Sequence, residues 1–169
     1  METVSPLGGP LDISAGATGS DTLIVDARSN TTGLNVELSS SSIVGLSVLP
    51  ITYAGVNQLQ IELGSGNDVA NIVSTHAGHT SIDADAGADR IYVRSTSGPT
   101  LLLAGDDSDL VRVSSLAGTV SGIGGLLEVF AGVDDDDILI VDDSGNSAGV
   151  MLQLSSDRVT GLGSASIVY

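Results

Sequence analysis

Apolar side chains recur two and four positions after each of five aspartates. Leu23 and Val25 follow Asp21, Ala70 and Ile72 follow Asp68, and Ile91 and Val93 follow Asp89. Val111 and Val113 follow Asp109, and Leu139 and Val141 follow Asp137. Alternation of period two predicts strands with one buried face. These ten residues are the expected inward set, with Thr22, Asn71, Arg90, Tyr92 and Arg112 facing out. A second group of alternating stretches lies between them: Leu59–Leu63, Thr80–Ala84 and Thr100–Ala104. Helix signals are nearly absent, and the serine-rich stretches Ser39–Ser42 and Ser144–Gly149 read as loops or corners.

Each of the five strands is entered through a turn that contains glycine, as in Gly64-Ser65-Gly66-Asn67-Asp68. Glycine reaches backbone angles closed to other residues, and Asn and Asp hydrogen-bond such turns. Asp68, Asp89, Asp109 and Asp137 are separated by 21, 20 and 28 residues. That spacing predicts an all-β chain folded as a right-handed parallel β-helix (a β-solenoid), about 20–24 residues per coil, with two or three short strands in each.

A longer repeat runs through the chain at an offset of 116 residues. Thr3-Val4-Ser5 returns as Thr119-Val120-Ser121, Leu23-Ile24-Val25-Asp26 as Leu139-Ile140-Val141-Asp142, and Tyr53 as Tyr169. Residues 3–53 and 119–169 align without a gap, with 22 identities in 51 positions. Residues 1–169 therefore read as one continuous solenoid segment: a 116-residue unit, 3–118, and part of a second, 119–169. Neighbouring repeats of the same chain are the expected partners. With no helix or charged strand to cap either end, end-to-end self-association is also expected.

Composition narrows the interior. A single Phe, no Trp, no Cys and 22 Gly leave Val, Leu, Ile and Ala to build the core. Small aliphatics suit a narrow interior filled by equivalent positions of successive coils. The formal charge of −16, from 21 acidic residues against five arginines, argues against nucleic acid and anionic membrane partners. No apolar run approaches the length of a membrane span. Met1-Glu2 is not the basic start of a secretion signal, so any such signal would lie elsewhere in a parent chain.

Leu-Gly-Ser-Gly-Asn-Asp at 63–68, followed by alternating residues, resembles the repeats of RTX-type calcium-binding β-rolls. The longer pattern, marked by Thr75-His76-Ala77-Gly78, Arg94–Pro99 and Leu139–Gly145, resembles tandem units of very large bacterial surface or secreted proteins. The RTX motif matches best at 63–71, with Leu63 in place of the first glycine, and more loosely at 16–24, 84–92, 104–112 and 132–140. The resemblance implies an extracellular or cell-surface location and calcium between stacked turns. The metal-ligand candidates are Asp68, Asp89, Asp109, Asp137 and Asp21. Physical reasoning agrees that a hard cation would relieve repulsion between carboxylates stacked one strand spacing apart. The competing reading is that each Asp only accepts N–H groups of its own turn and faces solvent.

Other clusters carry less. The acidic runs 106–109 and 134–137 read as solvated loops or, alternatively, as a loose cation site, and His76 and His79 as loop imidazoles. Asn71, Tyr92 and Arg112, flanked by Arg90 and Arg94, form either a stacked surface ladder or a carbohydrate-contact stripe. No nucleophile elbow, P-loop or paired-carboxylate motif appears, and no enzymatic activity is expected. The expected function is a structural or adhesive extracellular module, a fibre or spacer segment rigidified by calcium. The alternative is a carbohydrate-binding or carbohydrate-active β-helix of lyase or epimerase type.

Overall fold

The computed structural model describes residues 10–16, 18–132, 136–162 and 165–169. The described residues are all β-structure, turns and loops, with no helix. Sixteen strands follow in chain order: β1 (Leu11–Ser14), β2 (Thr22–Asp26), β3 (Asn35–Leu38), β4 (Ser42–Val44), β5 (Ile51–Ala54), β6 (Gln58–Glu62), β7 (Val69–Ile72) and β8 (His79–Asp83). Then come β9 (Arg90–Val93), β10 (Thr100–Leu103), β11 (Leu110–Val113), β12 (Leu127–Phe130), β13 (Ile138–Val141), β14 (Gln153–Leu154), β15 (Arg158–Thr160) and β16 (Ile167–Val168).

They form two eight-stranded, mostly parallel sheets. One has the order β1-β5-β4-β3-β7-β9-β11-β13, the other β14-β15-β16-β12-β10-β8-β6-β2. From β6 to β13 every successive strand changes sheet. The register is one of equivalent repeat positions: Ala70 opposite Ile91, Ile91 opposite Val111 and Val111 opposite Leu139. In the other sheet Leu59 lies opposite Thr80, and Thr80 opposite Thr100. The inward residues of each strand therefore stack on those of the next and share one core.

Six of the ten expected inward residues, Ala70, Ile72, Ile91, Val93, Val111 and Val113, are fully buried. Leu23, Val25, Leu139 and Val141 pack on the same core but are half-buried. The reason is position: β2 and β13 are outermost strands with a neighbour on one side only. On the outer face, Thr22, Arg90 and Arg112 are exposed, while Asn71 and Tyr92 are partly covered by their stripe. Opposed acids are managed locally. Asp26 and Glu62 face each other across β2 and β6, and Arg28 bonds to both, at 2.8 and 2.7 Å. The Arg28 guanidinium holds the Asp26 carboxyl down at about 2.

Ser39–Ser42 is not wholly the expected corner, because Ser42 opens β4, which pairs antiparallel with both β3 and β5. The Ser39 hydroxyl accepts the N–H of Ser42 at 2.9 Å and so closes the reversal between β3 and β4. The same three-stranded excursion returns 116 residues later as β14, β15 and β16.

The two copies of the unit exchange sheets. The strand β1 belongs to the first sheet and its counterpart β12 to the second, whereas β2 belongs to the second and β13 to the first. If each three-stranded excursion counts as one visit, the unit makes nine visits to alternating sheets. An odd number of visits delivers the next copy to the opposite sheet.

Candidate functional site: a buried aspartate ladder

The repeated turns place Asp68, Asp89, Asp109 and Asp137 just ahead of β7, β9, β11 and β13, all in one sheet. Stacking in register brings each carboxylate under the backbone of the preceding turn. Asp68 Oδ1 accepts the N–H of Leu34 at 2.6 Å, and Asp89 Oδ1 accepts the N–H of Asp68 at 2.6 Å. Asp109 Oδ1 accepts the N–H of Asp89 at 2.8 Å, and Asp137 Oδ1 that of Asp109 at 2.9 Å. Each aspartate is thus an acceptor through its side chain, and the first three are also donors through their backbone.

The competing sequence reading, a carboxylate serving its own turn and facing solvent, differs from this arrangement in burial. Asp68, Asp89 and Asp109 are buried, and each accepts a backbone N–H of a neighbouring turn; Asp68 is also acted on by the Gly64 N–H of its own turn. Asp137 is partly buried, as its outermost strand requires. The run at 134–137 is described only from Asp136 onward; Asp134 and Asp135 lie outside the described residues.

Asp21 stands apart from the other four. It heads β2 in the opposite sheet, where its N–H donates to Asn57 Oδ1 at 2.9 Å. Asp21 and Asp137 are equivalent in the repeat, and the exchange of sheets is what separates them. Sequence reasoning missed Asn57. Its signal is its position immediately before β6, matching that of Asp21 before β2.

Burial shapes the electrostatics. Asp89 is pushed up to about 7, first by burial and then by the neighbouring Asp68, Asp109 and Asp107 carboxylates, against the pull of the Asp68 N–H. Its second oxygen is buried without a hydrogen-bond partner. Asp68 is likewise raised, chiefly by burial, with the N–H groups of Leu34 and Gly64 opposing. A proton on Asp89 removes its own charge from between the neighbouring carboxylates that raise it.

Calcium takes six to eight oxygen ligands. Among the described residues no three of His, Cys, Asp and Glu are grouped to hold one ion. Asp68, Asp89, Asp109 and Asp137 each accept a backbone N–H through Oδ1, which leaves the second oxygen of each carboxylate outside these bonds. Melting curves in millimolar calcium and in chelator test whether an ion joins the row, and coincident curves would leave it held by hydrogen bonds alone. A rise of several degrees in calcium, abolished by Asp68→Ala with Asp89→Ala, would assign an ion to the ladder.

His76 and His79 lie in different surroundings. His76 packs edge-on to Tyr53 at 6.0 Å and contacts the Thr80 hydroxyl through Nδ1 at 3.2 Å. Burial lowers its basicity. His79 is exposed.

On the outer face of the first sheet, Glu37, Asn71, Tyr92, Arg112 and Ile140 occupy one register stripe. An open groove of about 340 Å³ runs past Asn71, Tyr92, Arg94 and Arg112. Arg112 is paired with Asp142 at 2.6 Å. Among the described residues, Arg90 and Arg94 form no ion pair.

No protein-family model matches this chain, and neither a curated protein nor a solved structure matches it.

Proposed function

We propose that the chain is a structural module of an extracellular tandem array: a right-handed parallel β-helix of about 20–24 residues per coil, serving as a fibre or spacer segment and as an adhesive surface. The observation that carries this reading is the register of β7, β9, β11 and β13. Equivalent residues of successive turns lie opposite one another, tied by the aspartate ladder. A row of inter-turn hydrogen bonds holds position along one axis and leaves the outer faces free to vary. Its chemistry is that of a scaffold: buried carboxylates bonded from turn to turn and a core of stacked aliphatic side chains.

Small-angle scattering on this chain, and on chains with one and two further 116-residue units appended, tests the reading. A spacer gives a constant cross-section and equal increments of length. A cross-section that grows with each added unit would overturn it. Light scattering on the 169-residue chain tests end-to-end association, which salt should favour by screening the −16 charge.

A second reading, carbohydrate binding, rests on the groove past Tyr92, Arg94 and Arg112. Arg94, which has no ion pair among the described residues, suits the carboxylates of a uronic-acid polymer on so acidic a chain, with Tyr92 as a stacking surface. Binding of polyuronate that disappears in Arg94→Ala would favour this reading. Equal retention of neutral and anionic glycans would remove it.

A further inference from the structure

Equivalent positions of the two copies differ in how they are covered, and the differences converge on one surface. Val36 and Leu38 are 3% and 1% exposed, whereas Leu152 and Leu154, 116 residues later, are 54% and 69% exposed. Tyr53 is 3% exposed and Tyr169 43%. The local folding is nevertheless the same. Both phenols donate to the carbonyl 14 residues earlier, that of Ser39 at 2.6 Å and that of Ser155 at 2.8 Å.

In the first copy the cover comes from the chain beyond Tyr53. There β6 pairs along β2, β7 pairs along β3, and the His76 ring sits against Tyr53. In the second copy the counterparts of β2 and β3 are β13 and β14, and both are outermost strands. A cavity of about 650 Å³ opens beside β13, lined by Leu103, Val129, Phe130, Leu139 and Tyr169 among others.

Resting on the repeat-module reading, we propose that β13, β14 and this cavity form a docking surface for a further segment of the same repeat, alike in sequence to Ala54–Gly118. Its Gln58–Glu62 strand pairs along β13, with the Leu59 and Ile61 equivalents beside Leu139 and Val141, as they lie beside Leu23 and Val25 in the first copy. Its Val69–Ile72 strand pairs along β14, as β7 does along β3. Its Asn57 equivalent accepts the N–H of Asp137, as Asn57 accepts that of Asp21. Its His76 equivalent covers Tyr169. Apolar exposure, open strand edges and the repeat register thus name the same occupant, and the contacts it makes already exist once within this chain.

The test appends a copy of Ala54–Gly118 after Tyr169 and measures amide hydrogen exchange together with thermal melting. Amides of Ile138–Val141 facing away from β11 should slow by at least about tenfold, the appended strands should be protected, and the melting temperature should rise. A companion chain whose appended copies of Leu59 and Ile61 are aspartate should lose all three gains, while its first 169 residues stay folded. An appended stretch that exchanges at unfolded rates and leaves Ile138–Val141 unchanged overturns the proposal. Failure of the underlying reading is distinguishable, because it would appear in the unextended chain as unprotected amides across β6–β11.

Discussion

Asp89→Asn should raise the melting temperature at pH 8 and leave it nearly unchanged at pH 4. Asp89 is buried in the middle of the ladder and pushed up to about 7, mainly by its burial. In the unfolded chain an aspartate titrates near 3.9. Between about pH 4 and 7 the folded state therefore binds the proton and the unfolded state does not, so stability falls as pH rises across that window. Below it both states are protonated and the difference vanishes. Above pH 7 the full cost is present, at most about 4 kcal/mol for a separation of about three pH units. Asparagine keeps the Oδ1 that accepts the Asp68 N–H and discards the charge. Asp89→Ala discards both and should lose about 1–3 kcal/mol at low pH, because the Asp68 N–H is left buried and unpaired. Any carboxylate removed from a chain of charge −16 also relieves general repulsion. The exposed Asp106→Asn supplies that control. Equal effects of Asp89→Asn and Asp106→Asn at pH 8 would sink the argument.

The strands are legible in the sequence because their code is local. A glycine turn, an aspartate and alternation of period two fix which residues point inward, and Ile72, Val93 and Val113 are buried as that code requires. The spacing of Asp68, Asp89, Asp109 and Asp137 also predicts that the four stack. What each carboxylate bonds to is not legible, since spacing sets proximity but not whether an oxygen turns to a backbone N–H of the next turn. Asp21 shares the turn motif of the other four and so groups with them in sequence. Its separation depends on a count of chain crossings, and the hidden three-stranded excursion makes that count hard to take from sequence. The excursion itself is masked by serine. Ser39–Ser42 has loop composition, yet those hydroxyls close a reversal and Ile43-Val44 continue as strand. Finally, the half-burial of Leu139 and Val141 comes from their outermost position, which alternation alone does not report.

Gly105→Ala should cost at least about 3 kcal/mol, a fall of roughly 6–12 °C in melting temperature for a domain of this size. Gly105 opens the turn that delivers Asp109 to the ladder, and its φ of +110° lies where a side chain is strained. A Cβ built there would stand 1.8 Å from the carbonyl oxygen of Asp85 in the adjacent turn. That oxygen cannot move aside cheaply, because it accepts the N–H of Asp106 at 2.8 Å. Asp85 is itself at a φ of 73°, so the two turns are nested with little freedom on either side. Relief requires the turns to separate, which breaks the Asp106 bond and pulls Asp109 Oδ1 from the Asp89 N–H. Strain, clash and two lost hydrogen bonds therefore act together. Gly149→Ala is the matched control: its added Cβ would meet nothing within 4 Å, its φ is outside the left-handed region, and its melting temperature should stay that of the parent. A Gly105→Ala chain melting within a degree or two of the parent would show that the turns slide past one another freely. Stacking of the backbone would then not be what holds the ladder in register.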